Sequence, residues 1–236
     1  MTIGRLFFAF SVFASGIYQI VTGRWINLVP VNPTHLPPAW QANLSGALLI
    51  LIGLGLLIRK TVSAAAAVLA LLLLVVLGLE LRVALPQAAM GYVWVDPLMI
   101  LAILGGVSLA AVRQDGSRKA ARFASLALAV FLAYCGALHF PYAKYVAGLI
   151  PPWIPGHMFW TYFAAIALIA GGIGLLVPPT ARLAAILSGI MLFSWVFLVH
   201  IPLAISTHTV SEVSRGLQAL QDSAVAFMLA GTARRK

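Results

Sequence analysis

Apolar residues run along this chain in stretches of about twenty, separated by short polar or proline-rich breaks. Residues 64–79, AAAAVLALLLLVVLGL, carry no polar side chain at all. Runs of this kind, wound as helices, are long enough to cross the hydrocarbon of a bilayer. The breaks predict eight helical spans, at residues 5–23, 41–59, 62–85, 93–112, 121–142, 157–177, 181–204 and 214–232. The last, SRGLQALQDSAVAFMLAG, carries Gln218, Gln221 and Asp222. A helix that polar is expected to be shielded from lipid by its neighbours. No strongly broken helix is visible. The opening MTIGRLFFAFSVFASG has the build of a signal peptide, a basic residue before an apolar core and small residues. The chain's internal symmetry favours reading it as a retained first helix.

That symmetry is a repeat. GALLILIGLGLLIRKTVSAAAAVLA from Gly46 and AIALIAGGIGLLVPPTARLAAILSG from Ala165 run together at a constant offset. Gly53 meets Gly172, Gly55 meets Gly174 and Thr61 meets Thr180. A loop rich in Pro and Trp with one His precedes each copy: NLVPVNPTHLPPAW, with His35, and GLIPPWIPGHMFW, with His157. Further on, VDPLMILAILGG and QDSAVAFMLAGT align Asp96 with Asp222. Two halves follow, 1–115 and 116–236, each with four spans. An even number of spans gives both halves the same orientation, so the fold class is an all-α integral membrane protein of two parallel four-helix repeats. The GLGLL and GIGLL segments are expected to let helices approach closely.

Composition and charge sharpen this picture. The chain is 62% hydrophobic and 8% charged, where soluble domains carry about 25% charged residues. The formal charge of +10 would suggest nucleic acid on a soluble chain. Here its distribution excludes that partner and points to the lipid bilayer. Alternate span ends hold Arg5, Arg59, Lys60, Arg113, Arg118, Lys119, Arg122, Arg182, Arg234, Arg235 and Lys236, with Asp115 as the only acid. The other ends hold Arg24, Arg82, Lys144 and Arg215 against Glu80, Asp96, Glu212 and Asp222, and are neutral overall. The positive-inside rule makes the basic end, with both termini, cytoplasmic.

Candidate chemistry gathers at the neutral, outer end. His139 ends the fifth span, His157 begins the sixth and His200 ends the seventh, while Asp222 lies about two turns into the eighth. Ionisable groups at such depth are costly and are functional candidates. Glu80, Arg82, Glu212 and Arg215 sit near span ends, where water and head groups can satisfy them. Histidines at one depth on different helices suit a haem iron or a quinone. A quinone fits the pattern better than haem, and no cofactor follows firmly. A metal site is not expected. The single cysteine, Cys135, rules out C-x-x-C chemistry and reads as inert packing. No dinucleotide, phosphate-loop or H-E-x-x-H signature occurs. The two Pro/Trp loops read as interfacial anchors or as lids over the polar layer.

The second half also resembles the DoxX family of small bacterial and archaeal membrane proteins. His139-Phe140, Lys144, the P-x-W-x-P of Pro151, Trp153 and Pro155, and GGIGLLVPPTARLAA from Gly171 carry the resemblance. It implies a four-helix unit, here fused in tandem, and an association with quinone-linked oxidoreduction in a bacterial cytoplasmic (inner) membrane. The expectation is a membrane subunit that binds a quinone or similar lipid-soluble molecule at its outer face, in support of a soluble or membrane oxidoreductase. His139, Lys144, Trp153, His157, His200 and Asp222 would line the site, the histidines bonding a carbonyl and Lys144 drawing an anionic group. A non-enzymatic scaffold, assembly or lipid-binding protein is the alternative, and a small-molecule transporter the third reading.

Overall fold

In a computed structural model, residues 3–24, 39–112 and 118–232 are described, and no strand occurs among them. The helices are α1 (Ile3–Thr22), α2 (Ala39–Leu57), α3 (Val62–Ala84), α4 (Val95–Ala111), α5 (Arg118–Leu138), α6 (Ala143–Leu149), α7 (His157–Leu176), α8 (Ala181–Trp195), α9 (Ile201–Thr207) and α10 (Val210–Thr232). Among the described residues seven spans are long and apolar enough to cross a membrane: α1, α2, α3 with its 3-10 extension to Gln87, α4 from Gly91, α5, α7, and α8 through α9. Large apolar side chains such as Leu51, Leu71, Ile166 and Leu187 stand exposed on the outer faces. A protein bathed in water rarely shows apolar surface on this scale, and a multi-pass membrane protein is the class that fits. The first Pro/Trp loop up to residue 38, with His35, and Arg113, Asp115 and Arg234 to Lys236, lie outside the described residues.

Two expected spans are altered by proline. The fifth was expected to reach residue 142, yet α5 stops at Leu138. Pro141 has no N–H to return to the preceding turn, so the chain folds over at Phe140, whose N–H reaches the Ala137 carbonyl at 3.3 Å, and restarts as the short α6. The seventh span, expected to be unbroken, carries a π-helical turn at Val196–His200, where the Ile201 N–H returns to the Val196 carbonyl. Pro202 follows at once. Its missing donor loosens the α-helical ladder there, and π-turns inside helices are frequent at functional sites.

Spans consecutive in the chain run antiparallel, so the ends sort into two sets. At one end Arg5 donates from Nε and Nη2 to the Leu56 carbonyl, at 3.2 and 3.0 Å, and closes the last turn of α2. Ser63 and the Ala111 carbonyl meet at the same end. At the other end Tyr134 donates to the Gly91 carbonyl at 2.7 Å, and His200 packs against Gly216. Arg59, Lys60, Arg118, Lys119, Arg122 and Arg182 fall at the first, basic end with Arg5.

The most polar helix is the most enclosed. α10 falls outside the seven apolar spans, yet Glu212, Ser214, Gln218, Gln221, Asp222 and Ser223, half of the twelve buried polar side chains among the described residues, lie on it. It packs on α1 through Gly4, on α4 through Gly106, and on α8 through Gly189, which sits under the Phe227 ring. Ser223 donates to the Gly189 carbonyl at 2.9 Å. α4, also central, has 56% of its span buried, against 22% for the peripheral α8 through α9.

The two glycine-rich helices end in the same turn. Thr61 Oγ donates to the Gly55 carbonyl at 2.9 Å, and Thr180 Oγ to the Gly174 carbonyl at 3.0 Å. Beyond the turns, a Cβ on Gly55 would stand 2.8 Å from Ala65, and one on Gly174 2.8 Å from Ala184. Close approach also joins α5 to α7, where a Cβ on Gly172 would lie 2.6 Å from the Ala129 carbonyl. Gly172→Ala is therefore expected to lower the thermal midpoint in detergent, at an overpacking cost of about 1–3 kcal/mol. Gly78, with nothing within 4 Å of an added Cβ, is the control. Gly78→Ala should leave stability unchanged or raise it by about 0.5–1 kcal/mol. Equal effects of the two changes on the midpoint would exclude helix contact as the reason for Gly172.

Candidate functional site

The interior polar groups begin at the N-terminal end of α10. Glu212 is 7% exposed and sits in the first turn, where a carboxylate faces the positive end of the helix dipole. Arg215, one turn on and half exposed, reaches its Oε1 at 2.7 Å. The second carboxylate oxygen lies 3.7 Å from Nδ1 of His200, at the end of the π-turn. That spacing is too long for a hydrogen bond, and the His200 Nδ1 is buried with no hydrogen-bond partner. A Cβ on Gly216 would meet the His200 Cβ at 3.2 Å, so a glycine there admits the imidazole beside α10.

From this array a polar ridge runs inward. Ser214, Gln218 and Asp222 recur at four-residue steps and so share one face of α10. All are buried, Asp222 to 2% exposure, and its Oδ1 has no hydrogen-bond partner. Cys135 of α5 lies within electrostatic reach of both Asp222 and Asp96. Asp96, exposed in the first turn of α4, lies within reach of Arg215 and of the buried Glu80 on α3. Farther along the same face the ridge becomes Val225, Ala226 and Leu229, all buried and apolar. Polar groups thus fill the ridge from one end to Asp222, and hydrocarbon fills the rest.

A second feature lies on the surface at the same end. A hollow of ≈ 450 Å³ is lined by Phe140, Tyr142, Lys144, Tyr145, Met158 and Tyr162 among others. Phe140 stacks on Tyr162 with centroids 5.9 Å apart, and Tyr142 meets Tyr92 edge-on at 6.2 Å. Beside it the second Pro/Trp loop is held by short bonds: Ile154 N–H to the Pro151 carbonyl at 3.0 Å, and the Trp160 indole to the Pro155 carbonyl at 3.1 Å. Gly156, at φ +75°, makes the reversal into α7 that other residues rarely adopt. Trp153 and Phe159 project outward, 65% and 64% exposed.

The six residues expected to share one site divide between these places. His200 and Asp222 belong to the interior array. Lys144 is exposed and lines the hollow. Trp153 stands on the loop's outer side, and His157, half-buried, opens α7, its carbonyl accepting from Thr161 at 2.9 Å. His139 lies between the two places: its Nδ1 is 2.7 Å from the Cys135 carbonyl, and Phe140 follows it into the hollow. The view of Glu80 and Glu212 as interfacial groups satisfied by water is corrected, since both are buried, while Arg82 is exposed. The spacing of Glu212 and Arg215, three apart, was the signal for their pairing. Among the described residues no group of three or more His, Cys, Asp or Glu is disposed to hold a metal ion.

A family model described as Domain of unknown function (DUF8561) matches residues 128–228, from the second half of α5 through most of α10. No curated protein and no solved structure matches the chain. The DoxX resemblance is corrected by that match: the model that covers its motifs is a different family, and no DoxX model matches. The physical reason lies in what the motifs do. Pro151, Trp153 and Pro155 build an interfacial turn and Gly172 and Gly174 serve close helix packing, tasks common to many membrane folds.

His139 lies one residue beyond the fifth span and is half-buried. Burial holds its pKa below the ordinary 6.5, partly opposed by the bond to the Cys135 carbonyl. The unfolded chain therefore binds this proton more readily, and folding stability falls as pH drops below about 6.5 toward the lowered value. Thermal midpoints measured at about pH 7.5 and about pH 5.5 should differ less in His139→Gln than in the wild type. An unchanged difference would show that His139 is not the group responsible.

Proposed function

We propose that the chain is an eight-span protein of two parallel four-helix units, 1–115 and 116–236, with its basic end and both termini in the cytoplasm. α10 would be the eighth span. Its exclusion from the apolar set follows from its enclosure, since a helix surrounded by protein has no need to be apolar. The pairings support the duplication: α1 lies on α2 as α5 lies on α7, and α4 lies on α5 as α10 lies on α1. The matched Thr61 and Thr180 turns add to it. Gathering of the basic residues at one end supports the orientation. Fusions of a cytoplasm-active reporter at either terminus should be active, and inactive after Pro152; activity at the Pro152 junction would reverse the orientation.

For function, the reading best supported is binding of a quinone or similar lipid-soluble molecule at the end opposite the basic one, in support of an oxidoreductase. The hollow beside Lys144 carries it. Its aromatic walls suit a flat ring, the Lys144 ammonium can donate to a carbonyl or meet an anionic head, and its position near a Trp-bearing loop suits entry from the bilayer. In nanodiscs, a short-chain quinone should quench tryptophan fluorescence saturably. Lys144→Ala should weaken binding about tenfold, the value of one charge-assisted hydrogen bond, while Lys119→Ala should not. Absence of saturable quenching would overturn the reading. Transport is the second reading, favoured by the π-turn that places His200 beside Glu212 in the seventh span.

A further inference from the structure

The interior ridge lies apart from the surface hollow, and what it can bind is limited by its packing. It holds an acid, Asp222, that is 2% exposed and whose Oδ1 has no hydrogen-bond partner. Such a group is costly in a bundle core unless something satisfies it. Neighbouring carboxylates do not converge as a metal site would require. Ser223 beside it is fully buried and Gln218 and Gln221 are 7% exposed, so little room is left for an organic ligand. The smallest ligand of a carboxylate is a proton.

Access to Asp222 is one-sided. Asp222 lies ten residues past Glu212, about 15 Å along the helix axis. Ser214 and Gln218 occupy the steps between, each a group that can donate and accept. At the mouth stand the exposed Asp96 and the half-exposed Arg215, with Glu212 and His200 behind them. Glu80 on α3 and Cys135 on α5 lie within electrostatic reach of Asp96, and the exposed His208 ends α9 just before α10. The charged residues of α1 and α8, Arg5 and Arg182, sit at the opposite end. On that side Val225, Ala226 and Leu229 close the ridge.

We propose that Asp222 is a proton-exchanging site at the closed end of a half-path through the protein, reached from the Glu212 end by way of Glu212, His200 and the Ser214–Gln218 ridge. In the step, one proton leaves a hydronium ion or water at the mouth and one O–H bond forms on the Asp222 carboxylate. No electron moves, and the site becomes one charge more positive. Glu212 and His200 each accept a proton and pass it on, and Arg215 holds Glu212 in place. The proposal does not depend on quinone binding, and its test uses no quinone.

The test is infrared spectroscopy of the full chain in lipid nanodiscs through a rapid pH jump. A carboxylic-acid carbonyl band sensitive to D2O should appear and disappear with pH, and Asp222→Asn should abolish it. Asp222→Glu, which keeps the carboxyl and moves the band, carries the assignment if the Asn variant does not fold. In Glu212→Gln and His200→Gln the same band should form about a hundredfold more slowly, the effect of losing a positioned proton donor. A band that forms at the wild-type rate in both variants would overturn the path. No Asp222-dependent band at any pH would overturn the site. Loss of the band on adding sodium at fixed pH would make the ligand a metal cation and overturn the proton assignment.

Discussion

A carboxylate, two glutamine amides and several hydroxyls on one helix must be kept out of hydrocarbon, and the arrangement of the bundle follows from that constraint. An exposed polar face on α10 would cost several kcal/mol per unsatisfied group in lipid. Enclosure on every side removes that exposure. α1, α4 and α8 all reach α10 at glycines, Gly4, Gly106 and Gly189. A larger residue at any of them would push a helix outward and open the polar helix to lipid. The small residues therefore serve the seal around α10 as well as pairwise contact.

Enclosure also divides the interior lengthwise. Toward the basic end α10 is apolar, and its Phe227 ring meets Phe7 edge-on at 6.1 Å, while Phe7 stacks on Phe193 at 5.5 Å. Toward the other end the same helix carries Glu212, Ser214 and Gln218, and its wall includes the π-turn of the seventh span. A regular α-helix would satisfy its own backbone through this region. The π-turn, with Pro202 directly after it, adds an extra residue to the turn that carries His200 toward Gly216. A local break in helix geometry thus falls at the level of Glu212 and its ion pair with Arg215, where a polar environment tolerates it best.

Much of this was legible in the chain, and the failures have identifiable causes. Span positions followed from hydropathy because apolar length is a direct physical requirement of crossing a bilayer. The shielding of the last helix was readable from Gln218, Gln221 and Asp222. The early end of α5 and the π-turn were missed although Pro141 and Pro202 were visible, because a proline within an apolar run is often tolerated in membrane helices. The site residues were grouped by depth alone, which gives distance along the membrane normal and nothing about azimuth. His200 and Lys144 share an end but face different surroundings, one against Gly216 and the other in an open hollow. Family likeness failed for a related reason: the motifs behind it encode an interfacial turn and a close helix crossing, which report on the membrane more than on chemistry.

The C-terminal end of α5 is the wall common to both features. Cys135 lies within electrostatic reach of Asp222 and Asp96, His139 bonds to the Cys135 carbonyl one turn later, and Phe140 and Tyr142 then line the hollow. Pro141 makes this sequence of roles possible. Had α5 continued to residue 142, its last turn would have kept the rotation of the helix, and the aromatic pair would have projected along the bundle. The helix stops at Leu138, and His139, half-buried, stays bonded to the Cys135 carbonyl of its last turn. Within three residues the chain thus passes from a histidine bonded back to α5 to the aromatic lining of the hollow. Packed interiors shift between discrete arrangements more readily than they deform smoothly. A change in the seating of α5's end would therefore be felt on both of its sides.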